Sequence, residues 1–65
     1  MTPTVRLSVA LETLHWGPLA LARIAALNER TVRLWLAGQN DPPEALLAWL
    51  ERLAWFVTDN PPPGR

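Results

Sequence analysis

The chain has 65 residues, with six arginines and no lysine against six acidic residues, and it contains one histidine and no cysteine. This length fits one small domain with a marginal core, because such a chain buries only about 60% of its unfolded surface. The cysteine count excludes a disulfide scaffold and any cysteine-based zinc or redox site. A single histidine excludes a His-rich metal site, so we expect no metal and no cofactor.

Composition predicts a helical, intracellular protein. Twelve leucines and nine alanines outnumber four valines, and tyrosine is absent, which favours helices over strands. No apolar run approaches the roughly 18 residues of a membrane span, and the N-terminus lacks a signal-peptide pattern. We therefore expect a soluble, cytoplasmic protein that has no membrane partner.

The neutral total charge hides a difference between the two ends of the chain. Residues 1–40 carry four arginines and two acids, a net charge of +2, whereas residues 41–65 carry a net charge of −2. A neutral total counts against a nucleic-acid partner, but a basic excess confined to one region does not.

The fold predicted from the periodicity is all-α, with four to five short helices. The first helix is expected over residues 5–15, where leucines recur at helical spacing in one apolar stripe (Leu7, Leu11 and Leu14). The second is expected over residues 18–25, because proline is favoured at the first position of a helix.

The third helix is expected over residues 29–37. Asn28 is a good N-cap, and Gly38 suits the left-handed position that follows a helix. Val32, Trp35 and Leu36 form its apolar face.

A longer fourth helix is expected over residues 42–57. Asp41 and Glu44 resemble a capping box, with Pro42 at the first helical position. The domain would then cover residues 1–58, and residues 59–65 would form a Pro-rich, flexible tail.

The junction of the second and third helices has the spacing of a helix-turn-helix unit, which would span residues 18–37. Ala22 is small enough for the two helices to approach closely, and Leu27 fills the turn. Val32 and Trp35 would hold the third helix on the core, which leaves its opposite face outward, as in helices that enter a major groove.

These residues resemble the lambda-repressor/Cro-like (XRE-type) helix-turn-helix family of bacteria and phages. The similarity extends over residues 5–57 and is clearest in the segment GPLALARIAALNERTVRLWLAG, which contains Asn-x-x-Thr-Val-x-x-Trp-x-x-Gly. The Pro-Pro pair and the following Ala48-Trp49-Leu50 also match. The resemblance implies sequence-specific binding of double-stranded DNA, usually as a dimer on a palindromic operator, with repression or autoregulation of transcription.

The sequence departs from the family pattern in two features. Ala26 stands where the family has glycine before Leu27, so a residue with a Cβ must adopt the left-handed conformation. Gly17 and Pro18 replace a polar pair that donates to phosphate in the family.

The base contacts are expected from the outward face of the third helix. Arg30 and Arg33 are the leading candidates, because arginine bidentate to guanine is the commonest specific contact. Leu34 and Glu29 complete this set, with Leu34 suited to a thymine methyl. The alternative is that both arginines are solvated surface residues with Glu29 or Glu51 as loose partners.

The DNA-backbone contacts are expected from side chains around that helix and from one backbone position (Arg23, Thr31, Gln39, Asn40 and Gly17). Each has a simpler explanation as well: a surface ion pair for Arg23, burial for Thr31, and ordinary loop polarity for Gln39 and Asn40.

The fourth helix carries more large apolar residues than one buried stripe can hold. Exposed aromatic residues in a small protein suggest a two-fold interface, which predicts a homodimer through Trp49, Arg52, Trp55 and Phe56. The alternative is that the first helix and the tail cover these aromatic residues within the monomer.

The sequence therefore favours a DNA-binding regulator. The rival is a protein-interaction module on a helix-turn-helix scaffold that does not bind DNA strongly; the neutral charge, Gly17-Pro18 and Leu34 favour it. We expect no enzymatic activity and no small-molecule ligand, because His15 stands without an acid, base or nucleophile partner.

Overall fold

The computed structural model describes residues 1–61 and 63, which form four α-helices joined by short turns and contain no strand. The helices are α1 (Pro3–Leu14), α2 (Pro18–Ile24), α3 (Glu29–Leu36) and α4 (Glu44–Asp59). The all-α prediction with a longer C-terminal helix is confirmed. None of the helices in these residues has the length and hydropathy to cross a membrane. Of the predicted tail, residues 62, 64 and 65 lie outside the described residues.

Helix α1 begins two residues earlier than predicted, because Thr2 and Pro3 form an efficient helix start. The Thr2 Oγ1 accepts a hydrogen bond from the Val5 N–H at 3.2 Å, and Pro3 occupies the first helical position. At the other end, His15 adopts a left-handed conformation at φ 58°. This conformation closes the helix and directs Trp16 back toward the core.

The predicted capping box at the start of α4 is wrong. The helix begins at Glu44, and its N-cap is Pro43, which makes no side-chain capping hydrogen bond. The residue before a proline is disfavoured in helical conformation, so Pro42 cannot open a helix when Pro43 follows it. Pro42 is buried instead, and α4 continues to Asp59, two residues beyond the predicted end.

The turn between α2 and α3 has the predicted geometry. Ala26 is left-handed at φ 56°, and the Leu27 N–H donates to the Ala22 carbonyl at 2.7 Å. The Asn28 Oδ1 caps α3 by accepting from the Arg30 N–H at 2.8 Å. Gly38 ends the α3 segment at φ 78°, as expected for a glycine at this position.

The core forms where all four helices meet. Its fully buried side chains are Leu7, Leu21, Val32, Leu47 and Leu50. The buried stripe of α4 is centred on Leu47, Leu50 and Ala54, whereas Leu53 and Val57 are half-buried. Helix α1 packs along α4 and also contacts α3, while α2 packs against α3. The outer face of α3 carries the exposed residues Arg30, Arg33 and Ala37.

Candidate nucleic-acid interface

Helix α3 is attached to the core by one face and exposes the other. Val32 and Trp35 are buried, as predicted, while Arg30, Arg33 and Ala37 are exposed. The Thr4 hydroxyl of α1 donates to the Trp35 carbonyl at 3.1 Å, which ties the last turn of α3 to α1. The exposed arginines therefore stand on a helix held at both ends, by this bond and by the Asn28 cap.

Arg33 and Glu29 form an ion pair along the outer face of α3. The Arg33 Nη2 and Nε donate to the Glu29 Oε2 at 2.7 and 3.1 Å. The spacing is i,i+4 with the acid nearer the N-terminus, the favourable order on a helix. Glu29 thus contacts Arg33, and it is one of the two partners that the sequence suggested for the surface arginines.

The other predicted base-contact residues differ in exposure. Arg30 is exposed and has no ion-pair partner within residues 1–61 and 63. Leu34 is half-buried, so only part of its side chain faces outward. Arg30 and Arg33 are therefore the two cations on this surface. Within the described residues, Arg33 has a carboxylate partner and Arg30 has none.

Most of the predicted DNA-backbone residues are exposed (Arg23, Gln39, Asn40 and Gly17), whereas Thr31 is half-buried. The backbone N–H of Gln39 is already bonded to the Leu34 carbonyl at 3.0 Å, which leaves its side chain as the available donor. Gly17 caps α2 without a side-chain hydrogen bond, and Pro18 has no N–H. The start of α2 therefore lacks the polar side chains that the family uses there.

Arg6 does not contribute to this surface, although it counts toward the basic excess of residues 1–40. Its guanidinium binds the carboxylates of Glu44 and Glu51 on α4, at 2.9 and 2.6 Å. These hydrogen bonds lower the pKa of both carboxyl groups. Glu51 was suggested as a loose partner for Arg30 or Arg33, but the structure pairs it with Arg6.

The four predicted interface residues divide into two environments. Trp49 is half-buried and packs on Trp16, with the ring centroids 6.4 Å apart and the ring planes tilted by 47°. Trp55 and Phe56 are 72% and 60% exposed, and Arg52 is exposed as well. The first helix therefore does not cover Trp55 or Phe56, and Trp16 partly covers Trp49.

An open groove of about 210 Å³ runs between α1 and α4 beside Trp55. Its walls include Met1, Val9 and Ala54, with Arg6 and Glu51 among the lining residues. Sequence reasoning did not predict this groove, nor the exposure of Leu19 and Ile24 on α2, which are 46% and 53% exposed. Helical spacing gives no signal for the groove, because its walls come from two helices far apart in sequence.

Comparison of the chain with protein-family models, with curated proteins and with solved structures found no match. The family resemblance over residues 5–57 therefore stays a prediction from the sequence motif.

Proposed function

We propose that this protein is a sequence-specific, double-stranded-DNA-binding transcriptional regulator that inserts α3 into the major groove. The observation that carries the proposal is the division of α3 into two faces. Val32 and Trp35 are buried against the core, while Arg30 and Arg33 project on the outer side of the same eight-residue helix. A helix presented in this way fits the major groove, with its N-terminal residues nearest the bases.

The exposed polar residues supply a contact for each part of the duplex. Arg30 and Arg33 donate to the DNA from the outer face of α3, and the part of Leu34 that faces outward meets a thymine methyl. Arg23, Gln39 and Asn40 donate to phosphate from the neighbouring helix and loop. We propose that regulation follows from occupying a promoter, in the cytoplasm of a bacterial cell or a phage-infected host.

The proposed active species is a homodimer on a palindromic operator. Trp55 and Phe56 are the exposed aromatic residues of α4, and aromatic residues are enriched in interface cores. Two copies related by a two-fold axis would place their α3 helices in successive major grooves, about 34–36 Å apart. Trp49 contributes less to this interface than the sequence suggests, because Trp16 already packs on it.

The proposal is tested by fluorescence anisotropy of labelled random duplexes titrated with the protein through a salt series. Binding should weaken steeply as salt rises, because phosphate contacts release counterions. Arg30→Ala and Arg33→Ala should each weaken binding further, while far-UV circular dichroism stays unchanged. Absence of a complex at low salt would reject the proposal.

A second candidate function is a protein-interaction module on the same scaffold. The exposure of Leu19 and Ile24 favours it, because these apolar side chains lie on α2, where a phosphate-binding helix normally carries polar residues. The same titration decides between the two functions, since an interaction module would not bind the duplex. Light scattering that finds only monomer at high protein concentration would reject the dimer.

A further inference from the structure

The ion pair on the outer face of α3 suggests that the two arginines of this helix have different roles in DNA binding. We infer that Glu29 is a positioning residue that directs Arg33 to a guanine in each half-site, and that Arg30 holds phosphate. This inference rests on the proposed DNA-binding function and names the base that α3 reads.

Glu29 is the member of the pair that lies at the N-terminus of α3. It is the first residue of α3, where the positive end of the helix dipole favours a carboxylate. Its side chain is 36% exposed, whereas that of Arg33 is 64% exposed. The acid is therefore the more covered member of the pair, and the arginine is the outward one.

The ion pair holds the Arg33 guanidinium near the N-terminal end of α3, which is the end proposed to enter the groove. Arg33 lies four residues after Glu29, a rise of about 6 Å along the helix. Contact with the Glu29 Oε2 at 2.7 Å brings the guanidinium back over the first turn. Arg33 thereby reaches the region of a recognition helix that contacts base edges.

The contact with Glu29 leaves the base-reading edge of Arg33 available. Only Nε and one N–H of Nη2 are used, and both donate to the same oxygen of Glu29. The two N–H groups of Nη1 and the second one of Nη2 remain. The Nη1 and Nη2 donors lie side by side and match the O6 and N7 acceptors of guanine.

Arg30 has no carboxylate within the described residues that would position its guanidinium. It is exposed and has no ion-pair partner in the part of the chain that the structure describes. A mobile arginine loses side-chain entropy when it is fixed on a base, but a phosphate accepts it from many directions. Glu29 also repels phosphate, so it lowers affinity for any duplex while it increases discrimination by Arg33.

The experiment uses the full chain and a duplex selected by the wild type from a random pool. Each guanine of the site is replaced in turn by 7-deazaguanine, which lacks the N7 acceptor, and affinity is measured by anisotropy. The wild type should lose about tenfold at one guanine in each half-site. Arg33→Ala, Glu29→Gln and Glu29→Asp should lose most of this discrimination, whereas Arg30→Ala should keep it.

Three variants test whether Glu29 acts by positioning Arg33 or only through its negative charge. Glu12→Gln removes one negative charge from the exposed face of α1 and should leave the discrimination unchanged. Glu29→Asp keeps the charge but shortens the side chain, so it should fail to position Arg33. Glu29→Gln should bind random duplex at least as tightly as the wild type.

Three outcomes would overturn the inference. Full discrimination in Glu29→Gln would show that Arg33 needs no ion pair with residue 29 to read the guanine, and its loss in Arg30→Ala alone would assign the guanine to the other arginine. The third outcome concerns the double variant. If Glu29→Gln lowered the discrimination by the same factor in a protein that already carries Arg33→Ala, the effect of Glu29 would not depend on Arg33, and Glu29 would contact a base directly. In all three the protein still binds DNA, so the proposed function stands; a wild type that binds no duplex rejects both.

Discussion

Arg6 binds Glu51 through two parallel hydrogen bonds, from Nε to Oε2 at 3.0 Å and from Nη2 to Oε1 at 2.6 Å. Glu44, two turns earlier on α4, accepts two further bonds from the same guanidinium, at 2.9 and 3.0 Å. One arginine of α1 therefore holds two carboxylates of α4. The planar guanidinium sets the position of the two helices, which a lysine ammonium cannot do because it has no fixed fork of donors.

Loss of the hydrogen bonds from Arg6 to Glu44 and Glu51 should destabilise the contact between α1 and α4. Arg6→Ala leaves two carboxylates close together without a cation, and Arg6→Lys keeps the charge without the geometry. Both variants should lower Tm by a few degrees, measured by far-UV circular dichroism, with alanine the more severe. Glu51→Gln should lower Tm more than Glu44→Gln, because the Glu51 side chain is 41% exposed and that of Glu44 is 73% exposed. An unchanged Tm in Arg6→Lys would show that the fork geometry contributes nothing.

The same cluster predicts acid sensitivity. Hydrogen bonds from Arg6 lower the pKa of Glu44 and Glu51 below the ordinary 4.5. The unfolded chain therefore binds more protons than the folded one as the pH falls below this value. The stabilisation is present above about pH 4.5 and is lost as the pH falls through the lowered pKa values. Urea unfolding at several pH values should show this loss in the wild type and a weaker loss in Arg6→Ala; equal slopes would contradict the prediction.

Ala26→Gly should stabilise the domain by about 1 kcal/mol. Ala26 is left-handed at φ 56°, where a Cβ costs about 1–2 kcal/mol and glycine costs nothing except chain entropy. Ala37 is the matched control, since it is also exposed but has φ −81°. Ala37→Gly should destabilise by about 0.5–1 kcal/mol in the same urea titration. A shift of the same sign in both variants would contradict the conformational explanation.

Trp49 and Trp55 should respond differently to replacement by alanine. Trp49 packs on Trp16, so Trp49→Ala should reduce the free energy of unfolding by about 2–3 kcal/mol. Trp55 is 72% exposed, so Trp55→Ala should change it by less than about 0.5 kcal/mol at low protein concentration.

Sedimentation equilibrium completes this comparison. Trp55→Ala should weaken the dimer that we propose, whereas a folded Trp49→Phe variant should keep it. A large loss of stability in Trp55→Ala would place Trp55 in the fold, and an unchanged dimer would exclude it from the interface.

The local features of the chain could be predicted from neighbouring residues. Asn28 caps α3, Gly38 and Ala26 adopt left-handed conformations, and Glu29 contacts an arginine on its own helix. Each depends on residues within about one helical turn, where backbone sterics and capping bonds act directly. The start of α4 was missed for a local reason too, because a capping box was inferred without the restriction that Pro43 places on Pro42.

The contacts between different helices could not be predicted from the sequence pattern, because they depend on how the helices pack. Arg6 and Glu51 are 45 positions apart, and Trp16 and Trp49 also come from different helices. Helical periodicity tells which side chains share a stripe, but it carries no information about the stripe that another helix places opposite. For that reason the helical pattern predicts one role for Trp49 and Trp55, whereas packing covers Trp49 with Trp16 and leaves Trp55 exposed beside the groove.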